Sequence, residues 1–122
     1  MKKIVILVVE DEPLLRVTTV LELEDLRFDV RQAGNASEAL ASLEKMQDVD
    51  VVFTDIDMPG HMSGIGLSHM IESRWPVIKI IVTSGHRPNE LDALPPEARF
   101  FRKPYMPARV ACAARDLMGS YR

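Results

Sequence analysis

Apolar residues in this chain come in two kinds of run, and the two alternate from one end to the other. Residues 4–9 form an unbroken apolar stretch rich in β-branched side chains, the pattern of a strand covered on both faces of a parallel sheet. Glu10-Asp11-Glu12 ends it, and Pro13 suits the first turn of a helix. Leu14, Val17 and Leu21 then recur at helical spacing, which predicts a helix over residues 13 to about 26. Residues 28–32 alternate and predict a half-exposed edge strand. Gly34 turns the chain, Asn35 with Glu38 forms a capping-box-like start, and Ala36, Ala39, Leu40 and Leu43 mark a buried helical stripe. Val51-Val52-Phe53-Thr54-Asp55 is a third strand that stops on an acid, followed at once by Pro59 and Gly60. A Gly-rich loop leads to a third helix with Leu67, Met70 and Ile71 inward, closed by Pro76. Residues 77–82 predict a fourth strand ending at Thr83-Ser84-Gly85, residues 89–94 a short helix, and residues 98–102 a fifth strand ending at Lys103-Pro104. Pro107 opens a last helix whose Val110, Ala113, Ala114 and Leu117 share one face.

Five alternations of strand and helix predict a parallel sheet with helices on both faces and right-handed crossovers, an α/β three-layer doubly wound arrangement. With 122 residues the chain has the length of one domain and one core, and residues 1–122 are expected to form a single unit. Composition narrows the class. Hydrophobic residues at 47% and charged residues at 27% are those of a globular protein, and a net charge of −3 disfavours binding to DNA or RNA. The longest apolar run is far too short to span a bilayer. The single Cys112 forbids an internal disulfide and agrees with a reducing, cytoplasmic setting, and its Ala-rich helix predicts buried packing for it.

In a parallel sheet the strand ends share one edge, where ligands bind in open α/β folds. That edge would carry Glu10, Asp11 and Glu12 from the first strand, Asp55 from the third, Thr83 and Ser84 from the fourth and Lys103 from the fifth. Clustered carboxylates raise each other's pKa unless a cation sits among them, and oxygen ligands with room for water suit Mg²⁺. A carboxylate nucleophile, a metal, a lysine and a hydroxyl together describe a site for a transferring phosphoryl group.

The ordered set Glu10-Asp11-Glu12, Thr54-Asp55-Ile56-Asp57-Met58-Pro59-Gly60, Val82-Thr83-Ser84-Gly85 and Phe100-Phe101-Arg102-Lys103-Pro104 resembles the receiver domain of bacterial two-component response regulators, across the whole chain. The resemblance implies a flavodoxin-like (βα)5 fold with strand order 2-1-3-4-5, an order known for this family. It implies Asp55 as phosphoacceptor from a sensor kinase phosphohistidine or a histidine phosphotransfer protein. It further implies Asp11 and Asp55 as Mg²⁺ ligands, with Glu10 acting directly or through water and the backbone carbonyl of Asp57 completing the set. Thr83 would be the switch hydroxyl, Lys103 the ion-pair partner of the phosphoryl group, Phe100 the switch aromatic, and Lys103-Pro104 a cis bond. Phosphorylation adds nearly two negative charges that draw Thr83 and Lys103 inward and reshape the face of residues 89–94, the fifth strand and the last helix for a downstream protein partner, with a monomer or a phosphorylation-dependent homodimer as the assembly.

The chain departs from the family's pattern in places. The loop to Gly64 is one residue longer, Ser84 stands where Ala is frequent, Phe100 lacks the hydroxyl of a tyrosine, residues 85–99 are short and Pro-rich, and Met106 occupies a position that a capping Ser, Thr or Asp would suit. Blander roles compete residue by residue. Glu12 reads as a solvated first-turn acid, the Asp57 side chain as solvated, Ser84 and Gly85 as turn chemistry, and His61, His69 and His86 as non-ligands. Trp75 reads as packing at the end of the third helix or as a partner contact. Two other functions compete. A non-phosphorylated binding module would need no acidic constellation. A small Asp-nucleophile phosphatase of the haloacid dehalogenase type would share Asp55-Ile56-Asp57 but place its metal acids downstream rather than at Glu10-Asp11. The expectation is therefore a non-enzyme switch.

Overall fold

A computed structural model describes residues 2–60, 62–85 and 92–119. The five strands are β1 (Val5–Val9), β2 (Asp29–Ala33), β3 (Val51–Asp55), β4 (Lys79–Ser84) and β5 (Arg99–Arg102). The described helices are α1 (Pro13–Asp25), α2 (Ala36–Lys45), α3 (Gly64–Arg74) and α4 (Pro107–Leu117). Every strand pair is parallel, in the order β2-β1-β3-β4-β5. This is the predicted doubly wound α/β fold.

The continuous apolar strands are explained by two cores. Successive side chains of a strand leave opposite faces. Val5, Leu7 and Val9 of β1 accordingly join Ala39, Leu43, Leu67 and Ile71 on the α2/α3 side. Ile6 and Val8 join Leu23, Phe28, Val110 and Ala114 on the α1/α4 side. The edge strand β2 is half-exposed, as expected, and so is β5 at the other edge.

The caps follow the sequence closely in α2. Asn35 accepts from the Glu38 amide at 2.8 Å, and the Glu38 carboxylate accepts from the Gly34 amide at 2.7 Å. Glu12 does more than solvate the first turn of α1, since its carboxylate accepts from the amides of Leu14 and Leu15 and caps the helix. Met106 offers no side-chain cap to α4, and the Lys103-Pro104 bond is cis.

The structure decides which helix faces turn inward and corrects several expectations. Leu14, Val17 and Leu21 of α1 are 73%, 46% and 56% exposed, and the buried residues are Thr19, Val20 and Leu23. The helix carries apolar side chains on two faces, and the Thr19 hydroxyl reaches the sheet side because it bonds Tyr105 Oη at 2.8 Å. In α3, Met70 is exposed and Ser68 takes the buried place, its hydroxyl donating to the Gly64 carbonyl at 2.6 Å. The fourth strand starts two residues late and runs through Ser84, because the Ile78 amide closes a turn on the Trp75 carbonyl at 3.0 Å and leaves Val77 exposed. Cys112 is exposed, since Ala111 and Ala113 on either side take the inward positions of α4. Trp75 packs at the end of α3, with Arg74 stacked 4.5 Å from its ring. Of the short helix expected at 89–94, residues 89–91 lie outside the described residues, and Asp92 and Ala93 take 3-10 geometry.

Candidate functional site

The register sets the site. Val9 of β1 pairs with Thr54, and Asp55 with Thr83, so the ends of β1, β3 and β4 lie side by side. The Lys103 amide donates to the Ser84 carbonyl at 2.7 Å and brings the end of β5 to the same edge. Asp55 ends β3 only 5% exposed. Its Oδ1 accepts from the Asp57 amide at 2.9 Å, and its Oδ2 accepts from Lys103 Nζ at 2.7 Å.

Glu10 is equally buried; its Oε1 lies 3.4 Å from Lys103 Nζ and its Oε2 accepts from the Glu12 amide at 3.1 Å. Carboxylate oxygens of Glu10, Asp11 and Asp55 all lie within 4.8 Å of one another. Burial first, and the neighbouring Asp55 charge after it, push the Glu10 carboxyl above its usual range, against the pull of the Glu12 amide and Lys103. Burial would lower Lys103, but the hydrogen bond and charge of Asp55, with Glu10 behind them, outweigh it and hold the ammonium above its ordinary value. The lysine is thus a permanent cation here, and it answers two carboxylates at once.

Three oxygen-donor acids converging on one small volume fit a hard divalent cation such as Mg²⁺, and Glu10, Asp11 and Asp55 are the side chains that would hold it. Asp57 is not in that cluster: it is exposed, in line with the solvated side chain expected for it, and its carboxylate also accepts from Ser84 Oγ at 2.6 Å. Thr83 is 3% exposed, and its hydroxyl donates to the Phe101 carbonyl at 2.7 Å. Phe100 is partly buried against the α2/α3 core and Phe101 against the α1/α4 core, so the two rings lie on opposite faces of β5.

The sequence reading missed several contributors. Arg16 of α1 donates to the Glu10 carbonyl at 2.8 Å and to Gln32 at 3.1 Å, holding the turn that carries the acids. Its spacing of one helical turn from Glu12 was the available signal. Gly64 opens α3 against Asp55, where an added Cβ would clash with the Asp55 carbonyl oxygen. Only a residue without Cβ permits that approach. The sequence places Ser84 at the strand edge beside Thr83 and as turn chemistry, but carries no signal for the bond of its hydroxyl to Asp57. His69 approaches the Ala93 carbonyl with Nε2 and belongs to no acidic cluster, while His61 and His86 lie outside the described residues.

Comparisons with known proteins agree with this geometry. The family model of the response regulator receiver domain matches residues 6–112. The sensor kinase CckA of Brucella abortus is 31% identical over 117 residues, covering 93% of this chain and 12% of that protein. An NtrX-like response regulator of Rickettsia felis is 32% identical over 87 residues, and this chain spans 18% of its length. Among solved structures, a response regulator receiver domain protein of Clostridium thermocellum superposes with a TM-score of 0.86 at 27% identity, covering 97% of this chain and 96% of that one. The chemotaxis protein CheY4 of Vibrio cholerae shares the fold, with a TM-score of 0.81 at 20% identity. With its acidic edge, its buried Asp55 and its lysine in register, the chain belongs to the response regulator receiver domain family of two-component systems.

Proposed function

We infer that this chain is a phosphorylation switch in which Asp55 accepts a phosphoryl group from a phosphohistidine. The observation that carries this reading is the Asp55 carboxylate at the strand edge, held on Oδ1 by a backbone amide and on Oδ2 by Lys103, beside two further acids. An ionised carboxylate has no proton to lose, so an oxygen of Asp55 attacks phosphorus directly. The P–N bond breaks, and the imidazole nitrogen keeps the electron pair. A bound Mg²⁺ would neutralise charge on the phosphoryl oxygens as it transfers. Lys103 moves from the carboxylate to a phosphoryl oxygen, since the new dianion outbids a monoanion for its proton-bearing head. The Thr83 hydroxyl leaves the Phe101 carbonyl for the phosphoryl group. That release loosens β5 at Phe100 and Phe101 and alters the face read by a downstream protein.

The exposed stripe of Leu14, Val17 and Leu21 begins three residues after Asp11. A contiguous apolar helix face at the rim of a phosphoryl-transfer site suits docking of the donor protein, a sensor kinase or a histidine phosphotransfer protein. The CckA, CqsS and TorS relatives are sensor proteins or kinases by name, which is consistent with a histidine-to-aspartate relay. The chain is a switch rather than a hydrolase, and turnover of p-nitrophenyl phosphate is expected to be negligible. A cytoplasmic setting fits that role.

Intact-mass spectrometry after incubation with acetyl phosphate and Mg²⁺ tests the reading. One phosphoryl addition is expected, lost in Asp55→Asn and in EDTA. No addition to a folded protein, from acetyl phosphate or a phosphohistidine donor, would favour a binding module instead.

A further inference from the structure

Ser84 stands between the two groups that touch the acceptor. Asp55 Oδ1 is met by the Asp57 amide and Oδ2 by Lys103 Nζ. The Ser84 hydroxyl donates to Asp57 Oδ2 at 2.6 Å, and the Ser84 carbonyl accepts from the Lys103 amide at 2.7 Å. One fully buried residue of β4 is therefore bonded, through its side chain and its backbone, to both neighbours of the carboxylate. Its predecessor behaves in parallel: the Thr83 carbonyl accepts from the Ile56 amide at 2.8 Å, so consecutive residues of β4 hold consecutive residues of the turn after β3.

We propose that Ser84 is a positioning residue for the acceptor site: by holding the Asp57 carboxylate it sets the turn whose amide orients Asp55, and it keeps that carboxylate out of the cation cluster. The turn needs such a tether. It contains Pro59 and a Gly60 in the left-handed region, and it lies outside regular secondary structure from Ile56 to Gly60. A hydrogen bond to an ionised acceptor is about twice as strong as a neutral one. The charge argument runs the same way. Glu10, Asp11 and Asp55 already crowd one volume, and a fourth carboxylate swinging into it would add repulsion in the cation-free protein and compete for Lys103. Bonded to Ser84, Asp57 offers Asp55 its N–H instead. This role rests on the phosphoacceptor reading for its purpose, but not for its test.

The test reads amide exchange at residue 57 by NMR and the affinity for Mg²⁺ alone, both without any phosphoryl donor. Ser84→Ala removes only a hydroxyl and leaves the buried methylene in place. It is expected to speed exchange of the residue 57 amide several-fold and to weaken Mg²⁺ binding by about tenfold, the size seen when support of a ligand set is lost. Asp57→Asn keeps an acceptor for the hydroxyl and should retain slow exchange. In an Asp57→Ala background the serine change should add nothing further. Three results would overturn the proposal: unchanged exchange in Ser84→Ala, an equal effect of Ser84→Ala with and without the Asp57 side chain, or a loss of protection spreading along β4. Should the parent protein fail to bind Mg²⁺, the phosphoacceptor reading falls, while exchange at residue 57 still decides the tether.

Discussion

The middle of the sheet and its C-terminal edge are both buried, but by different means. At the middle, Ile6, Leu7, Val52 and Ile81 are covered by apolar neighbours on each face. At the edge, two to four residues further along the chain, the buried groups are Glu10, Asp55, Thr83 and Ser84. The middle gains free energy as its surface leaves water. The edge loses some, because two carboxylates are desolvated beside each other, and among the described residues Lys103 is the one cation that pairs with them, helped by the amides of Glu12 and Asp57. One fold therefore stores electrostatic strain at its acidic edge, supported by a core that contributes stability.

The contrast can be tested from the largest effect downward. Leu7→Ala empties a fully buried place in the middle and is expected to cost about 2–5 kcal/mol of stability, read by urea denaturation. A smaller loss would mean that the core at β1 can collapse around the gap. Lys103→Met at the edge leaves Glu10 and Asp55 without their cation. A fully buried pair broken this way loses about 3–5 kcal/mol, and the 24% exposure of Lys103 reduces the expectation to roughly 1–3 kcal/mol. The stability that Lys103 contributes is complete below the ordinary lysine range and is lost only as pH climbs through its raised folded value.

Glu10→Gln should go the opposite way. A carboxyl whose folded pKa is raised favours the folded state at acid pH, and that contribution disappears as pH rises through the folded value. The cation-free variant should thus melt higher than the parent at pH 7.5, by a few degrees for about 1 kcal/mol, and match it at pH 4. Equal melting at both would remove the strain from the account. The same shift predicts that Mg²⁺ affinity, followed by calorimetry between pH 7.5 and pH 5, starts to fall at a higher pH than an ordinary carboxylate would impose.

The smallest stability effect belongs to α1. Leu14→Ser with Leu21→Ser should change stability by less than about 0.5 kcal/mol per site, because both side chains face water. Phosphorylation by acetyl phosphate should stay at the parent rate, while transfer from a protein donor slows. Equal slowing with both donors would remove the docking role from this stripe.

Helices α1 and α2 show how far the chain could be read unaided. In α2 the apolar spacing of Ala36, Ala39 and Leu43 has a charged opposite side, so only one face can meet the sheet, and that face does. In α1 the stripe of Leu14, Val17 and Leu21 competes with a second face containing Thr19, Val20 and Leu23, and periodicity alone cannot choose between them. Thr19 reaches the inner side through its bond to Tyr105, a residue 86 positions away. The expectation for Cys112 failed similarly, since in an Ala-rich helix the small residues on either side serve equally well as inward positions.

The acidic edge was legible because strand ends announce themselves. An apolar run that stops on Asp55, another that stops before Glu10, and the strand that ends before Lys103 share an edge once the sheet is parallel. Local residue types and their order therefore determined the strands, their direction and the chemistry at their ends. Tertiary structure decided which face of α1 is covered, where the Thr83 hydroxyl points, and that the Asp57 carboxylate is bonded to Ser84. Each of these depends on a partner distant in sequence whose distance and direction exist only after the strands have paired.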